Sequence, residues 1–243
     1  MFALFYIAVV IAQDCQHHSQ QGESRVIYER FFKEPTPLRN GFFLEIGGLD
    51  GIKFSNTLFF ERCLGWTGVL VEANPANFNK LRHNRKTTHN LHMAACQYEK
   101  MISFTVNGGA VAGSLEHMPD SFRKHWHGTV QPRTVPVYCG NLGHQLCILG
   151  VTKIDFMSID VEGAELEVVR SLNFTTVDVS VVIIEADSHN VEKNDAVRRL
   201  MIGAGFEFIP GVIRGSDLFV NDRHVSNGQR VALPCSMSVG GAQ

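Results

Sequence analysis

Residues 41–75 read GFFLEIGGLDGIKFSNTLFFERCLGWTGVLVEANP, and the order of apolar and chain-breaking residues in this stretch decides the fold. Residues 41–48 are a short apolar run ending in glycines, the pattern of a buried strand passing into a turn. Ser55 is placed to cap a helix over residues 56–64, and Gly65 stops it. Residues 67–74 give a second buried strand. Pro75 suits the first turn of a helix that carries Phe78 and Leu81 on one face.

Working outward, the alternation continues. Residues 91–95 and 102–106 read as weaker strands and residues 135–138 as a short one. IDFMSIDV, residues 154–161, is a clear strand, followed by a helix over GAELEVVRSL. Residues 177–185 are another buried strand, and residues 196–204 a helix ending at Gly205. Residues 206–209 and 217–220 suit an antiparallel hairpin around a glycine-containing connection. Upstream, Val26, Ile27, Phe31 and Phe32 are spaced for a helix over residues 25–33, closed by Pro35 and Pro37. Residues 107–113 read as loop, and residues 114–134 as irregular or partly helical. The pattern predicts an α/β, Rossmann-like doubly wound sheet, mostly parallel, with an antiparallel C-terminal hairpin. The domain is expected over residues 41–225, between a helical lead-in (13–40) and a tail (226–243).

The chain has 243 residues, 44% hydrophobic and 19% charged, enough for one sizeable core. Lys+Arg 22 against Asp+Glu 24 leaves no bulk basic charge to hold nucleic acid or anionic lipid. Residues 1–12, MFALFYIAVVIA, span only roughly 18 Å as a helix, too short for a bilayer. They match the apolar region of a signal peptide, with a mature start near Gln13. The expected location is therefore the secretory-pathway lumen or the exterior; a retained segment would anchor the chain, and a segment that is no signal would leave it cytoplasmic. Six cysteines allow up to three bridges in an oxidising lumen, and the sequence does not choose among them. Cys96 and Cys139 are one candidate pair, while Cys63 reads as core. Asn173-Phe174-Thr175 is a sequon. His125 and His127 could face one side of a strand, but no third ligand stands at a fixed spacing, so no metal is assigned.

In doubly wound sheets, ligands sit beyond the carboxyl ends of the strands, where the strand order reverses. The first strand ends at Glu45, which suits a cationic amino group, and Gly47, Gly48 and Gly51 let the backbone turn beside a ligand. The spacing is ExGxxxG, not GxGxxG, and Asp50 would repel phosphate, which disfavours a nicotinamide dinucleotide. Glu72, at the second strand end, can accept both hydroxyls of a ribose. Asp160 emerges from its strand facing the crevice. Glu162 and Glu165 are expected in the first turn of the next helix, where the helix dipole favours negative charge.

Residues 42–85 and 154–172, with the Glu45–Gly51 loop, Ser55-Asn56-Thr57, GWTGVLVEANP and DVEGAE, resemble the FkbM-type methyltransferases. NRK at residues 84–86, AAC at 94–96 and Cys139 are similar to the secretory-pathway branch of that family. The resemblance runs from about residue 41 to 221 and is weakest over residues 109–143. It implies a class I, S-adenosylmethionine-dependent methyltransferase, mostly acting on hydroxyl oxygens of sugars or polyketide-like molecules. Carried onto this chain, it places the methionine part of the cofactor by Glu45, Gly47 and Gly51, with Gly48, Asp50 and Asn56 also counted as cofactor-binding. Glu72 would hold the ribose beside Ala73 and Asn74, Ala94 and Ala95 would flank the adenine, and Asp160 would lie near the methyl group. Candidate bases are Asp160, Glu162 and His189. The expected acceptor is a glycan or small molecule, with no nucleic-acid partner. The alternative is a catalytically silent methyltransferase-like interaction module.

Overall fold

A computed structural model describes residues 15–106 and 133–221. The apolar segment 1–12, the stretch holding His125 and His127, and the tail 226–243 lie outside the described residues. In chain order the elements are α1 (Glu23–Ile27, continued by a π-helical turn Tyr28–Phe32), β1 (Phe42–Ile46), α2 (Leu58–Leu64), β2 (Thr67–Glu72) and α3 (Pro75–Asn84). There follow β3 (His89–His92), β4 (Ala94–Ala95), β5 (Lys100–Thr105), β6 (Thr134–Gly140) and α4 (Leu142–Ile148). The last are β7 (Lys153–Ile159), α5 (Glu165–Arg170), β8 (Asp178–Glu185), α6 (Val191–Gly203), β9 (Phe206–Ile213) and β10 (Ser216–Asn221).

The main sheet has the order β3-β2-β1-β7-β8-β10-β9. Neighbours from β3 to β8 are parallel, and β10 runs antiparallel to both β8 and β9. This is the expected doubly wound sheet with its hairpin at one edge. Successive side chains of a strand point to opposite faces, and both faces are covered. Phe43 and Phe156 pack with Ile27, Phe60 and Leu81 from α1, α2 and α3. Leu44, Ile46 and Met157 pack on the other face with Leu146, Val168 and Met201 from α4, α5 and α6. The order reverses between β1 and β7, so the crevice of such a sheet opens there.

Several boundaries differ from expectation. Residues 91–95 are not one strand: the chain leaves the main sheet after β3, and β4 joins a small sheet of order β4-β6-β5. Cys96 and Cys139 form a disulfide across that sheet, in a cluster with Ile102, Phe104 and Val137. Helix α4 has no forewarning in the pattern, because Gly143 stands in its first turn. It forms because Leu142 and Leu146 are buried and the Asn141 side chain accepts from the His144 N–H. Helix α6 begins at Val191, ahead of the expected 196, where Asn190 caps it by accepting from the Lys193 N–H.

The loop from β1 to α2 is organised from beneath by Arg85, which is fully buried. Its guanidinium donates to Glu61, to the Gly51 carbonyl at 3.0 Å, to Ser55 Oγ at 3.1 Å and to Thr57 Oγ1 at 3.0 Å. It also stands 3.8 Å from Glu45 Oε2 and 5.3 Å from the centroid of the Phe43 ring. A planar, always-charged fork with five N–H donors serves these four acceptors at once, one more than lysine's three donors allow. Removing one partner of a buried charge pair leaves the other uncompensated. Arg85→Met is therefore expected to destabilise the fold by about 3–5 kcal/mol, read by denaturant titration. Adding Glu61→Gln should recover part of the loss.

Candidate active site

At the carboxyl ends of β1, β2, β4 and β7 the structure has a cleft of about 1040 Å³, counting the space at its mouth. Glu45, Gly47, Gly48 and Asn56 line it from the first loop. Glu72 and Ala73 line it from β2, Ala94 and Ala95 from β4, and Asp160 and Glu162 from the end of β7. Four strand ends distant in sequence thus meet at one wall.

The backbone explains the glycine at 47. Its φ is +90°, and a Cβ there would stand 1.7 Å from the Asp160 carbonyl oxygen. Only glycine allows β1 and β7 to leave the sheet this close together. Glu45 behaves differently from the expectation that it grips an amino group. Its carboxylate accepts from Ser55 Oγ at 2.9 Å, the Asn56 N–H at 2.7 Å and Thr57 Oγ1 at 2.5 Å, with Arg85 alongside. Committed to these donors, it shapes the loop from within. Asn56 is thereby held with its Nδ2 donating to Ser158 Oγ, while its buried Oδ1 has no partner. A buried acceptor without a donor is costly, so the atom suits a ligand that donates.

Three expected cofactor residues stand behind the wall. Asp50 Oδ1 accepts from the Ile52 and Lys53 N–H groups and so turns into its own loop. Gly51, at φ +81°, packs on Leu81 and Arg85. The Asn74 side chain caps α3 by accepting from the Ala76 and Asn77 N–H groups. None of the three is part of the cleft wall.

Glu72 is buried, and its two carboxylate oxygens accept from the Leu49 N–H at 2.8 Å and the Asn74 N–H at 2.6 Å. Those bonds fix its plane. Burial pushes its pKa up to about 7, against the opposing pull of the backbone donors.

At the end of β7, carboxyl groups crowd together. Glu162 is not in the first helical turn as expected: it sits before the helix with φ +56°, and Glu165 is the first residue of α5. Glu165 is buried and accepts from the Val161 N–H at 3.2 Å and the Gly163 N–H at 3.0 Å, clamping the turn that carries Glu162. Its other oxygen takes a short bond from Lys193 Nζ, which also reaches Asp187 Oδ2 at 3.4 Å. Asp160 is accessible from the cleft yet walled by protein. Burial pushes its pKa up to about 6, and the Glu165 charge adds to this. Glu162 is raised to about 8, first by burial and then by Asp160. Glu185 is raised as well, again mainly by burial. Carboxylate oxygens of Asp160, Glu162 and Glu185 lie within 4.8 Å of one another, a spacing that could hold a divalent cation. His189 is not brought to this place: it is exposed and outside the cleft wall.

Sequence reasoning missed Ser158, Lys193 and the residues at the mouth. Gln20 reaches the cleft from the lead-in, with Lys53 and Phe54 beside it. Ser158 had a signal, lying two residues before Asp160 and so on the same strand face. Lys193 had none, since it precedes the expected helix and a lysine there reads as solvated. Ile102, Phe104 and the Cys96–Cys139 disulfide complete an apolar wall next to Ala94 and Ala95.

Comparison with solved structures finds likenesses in chain path at low identity. The FkbM methyltransferase of Methylobacillus flagellatus KT aligns with a TM-score of 0.48 at 10% identity, covering 89% of this chain and 60% of that one. An O-methyltransferase from Bacillus cereus, in complex with SAH, aligns at 0.42 and 15% identity, covering 88% and 86%. Aeropyrum pernix fibrillarin, with natively bound S-adenosyl-L-methionine, aligns at 0.39 and 14% identity, covering 75% and 66%. No curated protein sequence matches. The family model described as "Methyltransferase FkbM domain" matches residues 45–208, which run from the end of β1 through β8 and α6 and include every cleft-lining residue named above except Gln20. The chain belongs to the FkbM methyltransferase family, whose members depend on S-adenosylmethionine.

Proposed function

We propose that this methyltransferase transfers the methyl group to a hydroxyl oxygen of a glycan or small molecule, in the lumen of the secretory pathway or outside the cell. The observation that carries the reading is Asp160, a carboxyl group open to the cleft floor with its pKa raised to about 6. A hydroxyl acceptor must lose its proton as it attacks, and a base titrating near the working pH serves that best.

The cleft fits the cofactor on three counts: the Asn56 Oδ1 that lacks a donor, the loop at Gly47 that a Cβ would block, and the buried Glu72 with its plane fixed. In this reading Glu72 accepts the ribose hydroxyls, and Ala94 and Ala95 with Ile102 and Phe104 provide an apolar wall for the adenine. Asn56 accepts from the amino group of the methionine part. When bound, S-adenosylmethionine supplies an electrophilic methyl group on sulfur. Asp160 takes the acceptor's proton, and Glu162, held in place by the Glu165 clamp, lies beside it. Lys193 offsets part of the negative charge gathered there. The luminal placement is supported by the Cys96–Cys139 disulfide, since such bonds persist in oxidising compartments.

Three outcomes are expected. With labelled S-adenosylmethionine and fractionated glycans and small hydroxylated molecules, Asp160→Asn should lose turnover on the order of a hundredfold or more and keep cofactor affinity. Unchanged turnover removes Asp160 from the mechanism. Ribose hydroxyls favour the ionised form of Glu72, so affinity for S-adenosylhomocysteine should fall as pH drops through about 7. Glu72→Gln should weaken binding roughly tenfold or more and flatten that dependence in calorimetry.

Lys193 gives the third. Glu162 has a folded pKa near 8, above its unfolded value of 4.5. Its contribution to stability is therefore fully present below pH 4.5 and lost as pH rises through 8. Lys193 lowers the Glu162 and Glu185 values, so Lys193→Met should make the melting temperature fall more steeply between pH 6 and 9 than in the wild type. Parallel curves would contradict the charge-balancing role.

A further inference from the structure

The chain's one Asn-X-Thr/Ser sequence, Asn173-Phe174-Thr175, lies in the turn between α5 and β8. Strand β8 starts at Asp178 and runs parallel to β7, whose far end carries Asp160. The turn is thus at the pole of the sheet opposite the cleft. Phe174 is half-buried and packs edge-on against Phe206, with ring centroids 5.2 Å apart. Anchored by that ring, the segment turns Asn173 and Thr175 outward, and both are exposed. The Asn173 carbonyl accepts from Thr176 and Val177, which fixes the turn.

The side-chain amide is oriented as well. Asn173 Oδ1 accepts from the Thr175 N–H at 3.0 Å and from Thr175 Oγ1 at 2.7 Å. A backbone N–H can only donate, so the atom facing it is the oxygen. The amide nitrogen is left on the side away from Thr175. The hydroxyl of the sequon is already engaged with the amide to be modified, and nothing of the cleft is nearby.

We propose that Asn173 carries an N-linked oligosaccharide. The inference rests on the luminal placement above and is independent of the chemistry at Asp160. The disulfide between Cys96 and Cys139, and the disulfide-bonded state of Cys147, are what a chain exposed to an oxidising lumen shows. The donor is an oligosaccharide linked to a lipid diphosphate. Asn173 Nδ2 bonds to the anomeric carbon and gives up one proton. The bond from that carbon to the diphosphate oxygen breaks, and the lipid diphosphate leaves with the electron pair. No oxidant or reductant is needed.

The test uses the full chain in a eukaryotic cell, once with its own N-terminus and once behind an added cleavable signal peptide. Each is recovered and treated with peptide N-glycosidase. The native chain should lose the mass of one oligosaccharide, with aspartate read at position 173 of the released peptide. Asn173→Gln and Thr175→Ala should each abolish the shift, and Thr175→Ser should keep it. A luminal chain without a shift overturns the site, and a shift confined to the signal-bearing version overturns its use in the native chain. Asn173→Gln should bind S-adenosylhomocysteine as the wild type does. A glycosylated chain that binds none would sink the reading of the cleft and leave this one standing.

Discussion

Burying the carboxylate of Glu45 beneath the first loop is the constraint on which the rest of the site depends. An ionised carboxyl group in the interior costs several kcal/mol unless it is paired and hydrogen-bonded. Here the chain after β1 folds back to supply donors from Ser55, Asn56 and Thr57, and the end of α3 supplies Arg85. Meeting Glu45's requirement sets the path of residues 47–57, and that path delivers Gly47, Gly48 and Asn56 to the cleft. A group that looks like a ligand contact thus acts as the peg around which the contacts are arranged.

A second concentration of charge lies across the cleft floor, and it is resolved in the opposite way. Glu162, Glu165, Glu185 and Asp187 gather around the Lys193 amine, and Asp160 stands beside Glu162 and Glu185. Lys193 is drawn closest to Glu165, the carboxylate that holds the Val161–Gly163 turn. Asp160, Glu162 and Glu185 are left with raised affinity for protons. The first acid is compensated and structural; these are under-compensated and able to exchange protons. Environment thus sets similar side chains to different protonation behaviour.

The parts that could be read from sequence are those fixed by short-range pattern. Apolar runs ending in glycine or acid marked β1, β2, β7 and β8 and placed Glu72 and Asp160 at strand ends, where the cleft opens. What could not be read depends on partners distant in the chain. Nothing near Glu45 announces that Arg85 will occupy it, and nothing near Lys193 announces Glu165. The two-residue strand β4 is too short for a period, so the small sheet behind the Ala94–Ala95 wall went unforeseen. The helix that follows Glu162 makes it read as helical, while its left-handed backbone depends on the clamp from Glu165. His189 shows the converse, a chemically suitable residue near a strand end that the fold leaves outside the cleft.

In the proposed reading, one cleft framed by Glu72 and Asp160 receives the cofactor. A crystal structure grown with S-adenosylhomocysteine tests it most directly. The ribose hydroxyls are expected on the Glu72 carboxylate, the adenine against Ala94 and Ala95, and the sulfur on the side of Asp160. Density for the ligand elsewhere on the molecule, or the same cleft with Glu72 turned away from the ribose, would contradict it.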